Sequence, residues 1–201
     1  YRHEPLTTRV VELVRDGAVG AVRAIVSGFT YAQGRSNDVR LVAALGGGAL
    51  FDVGCYPVSY AGLMAGRDPV SAVGLARFTP GGVDEEFTGV LSFPAGVTAS
   101  IYAGFRAAYC TWLQVMGSEG SLTVPNPFKP GPLEQLRLER FGETSTFEVR
   151  GSETLFTRQV EHFVEAVLDG APPTVTLDES RRTAAALAAL HTAARTNREH
   201  A

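Results

Sequence analysis

The sequence is nearly without lysine. Of its 18 basic residues, 17 are arginine and one, Lys129, is lysine, so any chemistry that needs a side-chain amine on this chain falls to that residue. Cysteine is as scarce. Cys55 and Cys110 are too few for a disulfide framework and have no ligand-spaced Cys or His around them, so they read as small buried hydrophobes of a cytoplasmic protein with no metal centre. No apolar run approaches the roughly 18 residues of a membrane-spanning helix. The start, Tyr1-Arg2-His3-Glu4-Pro5, carries neither an initiator methionine nor the apolar segment of a secretory signal, and reads like the interior of a longer protein. Nucleotide cradles are missing as well: there is no G-x-x-x-x-G-K, and no G-x-G-x-x-G that follows a strand with an acid about 20 residues on. With 21 acidic residues against 18 basic, a net charge of −3, nothing in the chain attracts nucleic acid or anionic membrane.

What is present is ordinary globular composition, 201 residues with 45% hydrophobic and 19% charged side chains, enough to bury a core without staples. Leu6, Val10, Leu13 and Val14 recur on one helical face, with Gly17 placed to end the helix. Residues 21–32, rich in β-branched and aromatic side chains, read as a strand. Residues 49–65 read as a helix stopped by Gly66, with a kink expected near Tyr56 because Pro57 cannot donate to the carbonyl of Val53. Seven further strands follow at 70–78, 86–93, 97–106, 110–116, 120–124, 134–141 and 144–149, joined by short turns that favour antiparallel pairing. In 97–106 one side is apolar (Val97, Ala99, Ile101, Ala103, Phe105) and the other semi-polar, as in a sheet covered on one face. Phe156, Val160, Phe163, Val164 and Val167 form an apolar helical stripe. Thr176 and Glu179 have capping-box spacing for a last helix with a narrow face of Ala184, Leu187, Ala188, His191 and Ala194. The expected fold is one α+β domain over 1–201: an open-faced, predominantly antiparallel sheet with helices packed on one face.

The strongest constellation is Gly46-Gly47-Gly48-Ala49-Leu50-Phe51-Asp52-Val53-Gly54-Cys55-Tyr56-Pro57. Asp52 and Tyr56 are four apart and share a helical face. The first-turn position favours the charge of Asp52, and a tyrosine can exchange a proton with a carbinol or carbonyl oxygen. The same residues also read as a loop-to-helix turn with a half-buried tyrosine, and the residues alone leave both open. Asn37, Asp38 and Arg40 form a polar cluster ahead of it, suited to a ligand's oxygens or simply to solvent. His162 and His191 read as core or interface histidines, His200 as tail, and Lys129, in a proline-flanked loop, as surface.

Taken together, these segments resemble the C-terminal domain of the glucose–fructose oxidoreductase/inositol dehydrogenase/MocA family. The likeness runs nearly end to end. Gly17-Ala18-Val19-Gly20-Ala21-Val22-Arg23 is similar to the family's G-x-[IV]-G-x-[VP]-R entry, and Gly46 to Tyr56 to its G-G-G-x-L-x-D-x-G-x-[YH] signature. Gly117-Ser118-Glu119-Gly120-Ser121-Leu122 resembles its G-x-x-G-x-[LI] turn, and Phe156 to Phe163 its Y-x-x-[EQ]-[VI]-x-x-F helix. The resemblance implies NAD(P)-dependent hydride transfer on a sugar, polyol or related secondary alcohol or carbonyl. It makes Tyr56 the acid/base and Asp52, Arg40 and Asn37 substrate-pocket residues, with His3 and Arg2 as weaker members. It also implies what is absent. The N-terminal Rossmann domain, with its dinucleotide fingerprint and E-K-P lysine, is not in this sequence, so NAD or NADP would be bound mainly by that domain and the isolated chain would be inactive. The open sheet face, with Tyr102, Arg106 and Trp112, is expected to make a homodimer or dimer of dimers. The rival reading is a non-catalytic dimeric scaffold or small-sugar-binding module.

Overall fold

A computed structural model describes residues 1–34, 37–152, 154 and 156–199; His200 lies outside them. Helix α1 (Pro5–Arg15) leads into β1 (Val22–Thr30). A polar loop with two short 3₁₀ turns, Val39–Leu41 and Ala43–Leu45, precedes a π-helical turn, Leu50–Gly54, that runs straight into α2 (Cys55–Ala65). Seven strands then follow in succession: β2 (Ser71–Phe78), β3 (Asp84–Ser92), β4 (Thr98–Gly104), β5 (Cys110–Gly117), β6 (Gly120–Pro125), β7 (Leu133–Arg140) and β8 (Glu143–Arg150). Helices α3 (Thr157–Leu168) and α4 (Leu177–Glu199) end the chain.

The strands form one eight-stranded sheet in the order β2-β3-β4-β1-β5-β6-β7-β8. Consecutive strands joined by tight turns pair antiparallel. The one parallel contact, β1 against β4, arises because β1 leaves the sheet for the polar loop and α2 and is rejoined only after the β2–β3–β4 meander. Alternation sorts the two faces as the sequence implied. Ile25, Phe29, Ala99, Ile101, Ala103, Leu113 and Val115 are buried against α2 and its neighbours, while Val73, Leu75 and Val90 remain exposed on the far side. On that open face Gly28 stands opposite both Tyr102 and Trp112. The two aromatic rings lie 6.4 Å apart, and the indole occupies the space that a side chain at position 28 would need.

Five sequence expectations are corrected. The break at Pro57 is not a mid-helix kink: Pro57 sits in the first turn of α2, where its missing N–H costs little, and the irregularity is the π-helical turn before it. The buried side of α4 is Ala186, Leu187, Leu190 and Ala194, whereas Ala184 and Ala188 are exposed; the helix is rolled so that Leu190 enters the core beside Leu187. Cys110 is exposed at the start of β5 and Cys55 is half-buried. The apolar stripe of α3 is uncovered, with Phe156, Val160 and Phe163 all more than 60% exposed. At the start of α4, Thr176 Oγ1 accepts from the Glu179 N–H at 3.1 Å, but the Glu179 carboxylate pairs with Arg2 instead of returning to Thr176.

Candidate active site

The glycine triplet fixes where the π turn begins. Gly47 and Gly48 lie against the backbone of Arg40, whose carbonyl accepts from the Gly48 N–H at 2.9 Å, so the polar loop folds back onto the start of the helix. Gly48 has φ +136°, and a β-carbon there would collide with the carboxylate of Asp84. That carboxylate, buried at the first residue of β3, accepts from the Leu50 N–H at 2.7 Å and so satisfies a donor of the helical start. Burial pushes the Asp84 carboxyl up to about 6, against the opposing pull of backbone N–H groups at Leu50, Asp84 and Ala49.

The π turn and α2 then present Asp52 and Tyr56 to a cavity of about 430 Å³, lined also by Phe29, Tyr31, Arg40, Tyr109 and Lys129, a size suited to a small-molecule site. Asp52 is held from two sides: Arg40 Nε donates to Oδ1 at 2.8 Å and the Tyr31 hydroxyl to Oδ2 at 2.8 Å. Arg40 is shared with Asp38, which caps the 3₁₀ turn through the Arg40 N–H at 2.9 Å and receives the guanidinium at 3.3 Å. The backbone N–H holds Asp38 below the usual carboxylate range. Burial and the bond to Asp52 keep the Tyr31 phenol well above its usual value. The Cys55 thiol gives its hydrogen to the Asp52 carbonyl at 3.4 Å, and burial pushes it up to about 11, so it is no nucleophile.

Tyr56 is packed by its ring and free at its tip. The ring meets Phe29 at 5.4 Å, Phe128 at 5.4 Å and Tyr1 at 5.8 Å, while its hydroxyl has no hydrogen-bond partner among the described residues and lines the cavity. Burial first, then Cys55 and Asp52, raise its pKa; Arg40 opposes them. At neutral pH the group is therefore a protonated phenol, a proton donor poised for a ligand's oxygen.

The other residues singled out in the sequence go elsewhere. Asn37 is exposed in the polar loop and does not line the cavity. Arg2 pairs with Glu179, and His3 Nδ1 lies 2.7 Å from His162 Nδ1 beside a separate cavity under α3. The first residue is the one that approaches the site, since the Tyr1 ring packs on Tyr56 while its hydroxyl donates to Ser59 at 2.8 Å. Two residues at the cavity or behind it, Tyr31 and Asp84, are not among the sequence candidates. Tyr31 shares Phe29's side of the β1 alternation, whereas Asp84 is an isolated acid before a strand. Lys129, read as a surface residue, is exposed and also lines the cavity. No cluster of three or more His, Cys, Asp or Glu gathers as a metal site among the described residues, and no helix among them is long and apolar enough to cross a membrane.

This is an α+β domain whose one glycine-entered helix carries an acid and a free phenol into a cavity. The family model described as GFO/IDH/MocA C-terminal domain matches residues 7–123, and the chain belongs to that family. It is 31% identical over 97% of its length to a dTDP-3,4-didehydro-2,6-dideoxy-alpha-D-glucose 3-reductase of Actinomadura kijaniata, covering 59% of that protein. It is 32% identical over 90% of its length to D-xylose 1-dehydrogenase (NADP(+)) 2 of Haloferax volcanii, covering 56% of it. Among solved structures it superimposes on aldose-aldose oxidoreductase from Caulobacter crescentus complexed with glycerol, with a TM-score of 0.87 and 28% identity over 98% of this chain and 61% of that one. The chain thus spans less than two thirds of the length of these relatives.

Proposed function

We propose that this chain is the substrate-binding domain of an NADP-dependent oxidoreductase that moves hydride between nicotinamide and a sugar or related secondary alcohol or carbonyl. The observation that carries the reading is Tyr56, its protonated hydroxyl unbonded among the described residues, lining a cavity in which Asp52, Arg40 and Tyr31 are already tied to one another. The names of the relatives, a 3-reductase and an NADP(+)-dependent dehydrogenase of sugars, support substrate class and cofactor.

The described residues suit only the reacting end of the cofactor. Phe29, Tyr31 and Tyr109 offer flat walls for a nicotinamide ring, but no glycine-rich turn in this sequence can cradle a pyrophosphate. Binding of the dinucleotide is assigned to a Rossmann domain outside residues 1–201, and the uncovered apolar face of α3 is available to pack against it. The bound nicotinamide supplies or accepts the hydride. Tyr56 gives its phenolic proton to the substrate's carbonyl oxygen in reduction and takes the hydroxyl proton back in oxidation, and its raised pKa favours the first direction. Asp52, fixed by Arg40 and Tyr31, orients substrate hydroxyls beside it. The open face carrying Val73, Leu75, Val90, Tyr102 and Trp112 serves a homodimer or dimer of dimers.

The test is steady-state kinetics of the full-length protein with NADPH and a panel of keto sugars. Tyr56→Phe is expected to lower kcat by about 10²–10⁴-fold while the NADP dissociation constant moves only a few-fold. Turnover that survives the substitution rules out Tyr56 as the proton donor, and absence of any turnover by the unaltered protein favours a binding module.

A further inference from the structure

We infer that Lys129 is a substrate-binding residue that receives a phosphoryl group carried by the substrate, so that the cavity beside Tyr56 takes phosphorylated or nucleotide-linked sugars in preference to free ones. This deepens the oxidoreductase reading and rests on it. Three observations support it. Lys129 lines the same cavity as Tyr56, and both abut the Phe29 ring: the Tyr56 ring at 5.4 Å and the Lys129 ammonium at 5.6 Å from its centroid. The charges of the cavity leave this one over. Arg40 is engaged by Asp52 and Asp38, whereas Lys129 meets no carboxylate among the described residues and rests only on an aromatic face. That contact holds an ammonium weakly and yields readily to a full anion.

The third observation is how firmly the residue is presented. Lys129 sits in the loop between β6 and β7, a stretch without strand pairing. Its neighbour Phe128 is 1% exposed and stacks on Phe29 at 5.8 Å, with Tyr56 at 5.4 Å. The two ends of the loop are clamped by one buried carboxylate. Glu134 accepts from the Gly131 N–H at 2.7 Å and from Asn126 Nδ2 at 3.3 Å, which holds Asn126 in a left-handed turn. Lys129 itself is exposed, so a ligand in the cavity can reach its ammonium. An ammonium on a fixed base over an aromatic ring can select a charged ligand group by its charge.

The experiment exploits the near absence of lysine. Reductive methylation of the 201-residue chain with ¹³C-formaldehyde labels one side chain, Lys129, and its dimethylammonium keeps the charge. Titration with glucose 1-phosphate is expected to shift that resonance saturably, and glucose to bind about tenfold more weakly or worse. By calorimetry, Lys129→Gln should weaken glucose 1-phosphate about tenfold, and Lys129→Arg should recover most of the loss. The inference is overturned if the two sugars bind alike, if neither shifts the signal, or if NADP shifts it where the sugar phosphate does not, which would give the anion to the cofactor. Because the titration reads binding, its failure is distinct from a failure of the full-length protein to turn over any sugar.

Discussion

Asp84 stands behind the helix that carries Asp52 and Tyr56, and its buried charge should be visible in how stability depends on pH. Its carboxyl is pushed from 3.8 to about 6, chiefly by burial. The folded state therefore holds this proton more tightly than the unfolded state does. The associated stabilisation is full below about pH 4 and is lost as the pH rises through about 6. A shift of roughly two units corresponds to roughly 3 kcal/mol of stability given up between those limits. Asp84→Asn removes the ionisation but keeps an oxygen that can accept from the Leu50 N–H. Urea unfolding of both proteins between about pH 4 and pH 7 isolates the effect. The difference between the two curves should change by roughly 3 kcal/mol in favour of the asparagine protein as the pH rises, whatever constant offset the amide group adds. Parallel curves would refute the reasoning, since they would mean that Asp84 ionises as easily in the fold as in the unfolded chain. Asp84→Ala is a separate control. It leaves a buried N–H without its partner and should cost about 1–3 kcal/mol relative to Asp84→Asn at every pH.

Two further outcomes are expected. Gly28→Ala places a methyl group in the indole ring of Trp112. It should cost about 1–3 kcal/mol and shift the emission of the single tryptophan; unchanged fluorescence and stability would show that the ring does not rest on position 28. The His3–His162 contact brings two ring nitrogens within 2.7 Å, and one must donate while the other accepts. Burial, His162 and Arg2 lower the pKa of His3 against the pull of Glu4. The contact therefore stabilises above about pH 6.5 and is lost as the pH falls through the depressed value. Hydrogen exchange in α3, corrected for intrinsic rates, should quicken on acidification, and His162→Ala should abolish that difference.

The sheet could be read from the sequence because each strand carries its own evidence. In β4, Ala99, Ile101 and Ala103 alternate with Ser100 and Tyr102, and burial follows that alternation until Gly104, which is buried as well. A helical stripe says less. Val160, Phe163 and Val167 define a face of α3, but periodicity cannot say whether anything covers it, and here nothing within the described residues does. The roll of α4 was hidden for a related reason. Alanines on two sides make two plausible small-residue faces, and only the docking of Leu190 chooses between them.

The site divides along the same line. Asp52, Tyr56 and Arg40 were legible because they lie within 17 positions of one another, and the glycine triplet between them marks the backbone contact that joins loop to helix. Asp84 and Lys129 arrive through the sheet. One sits at the first residue of β3 and the other beyond β6, and their places behind and beside Tyr56 depend on strand order, which short connections suggest but do not determine. Side-chain chemistry explains the contrast between the two cavity cations. Arg40 presents a planar fork, and it is consumed holding Asp38 and Asp52. Position 129 carries instead a compact charge on a flexible stem, with no carboxylate to hold it among the described residues. A guanidinium there would stack flat on Phe29 and span two oxygens in one fixed geometry. On the reading proposed above, an ammonium would follow a phosphoryl oxygen as a substrate turned its carbonyl toward Tyr56, a task that suits a point charge at the one lysine among 18 basic residues.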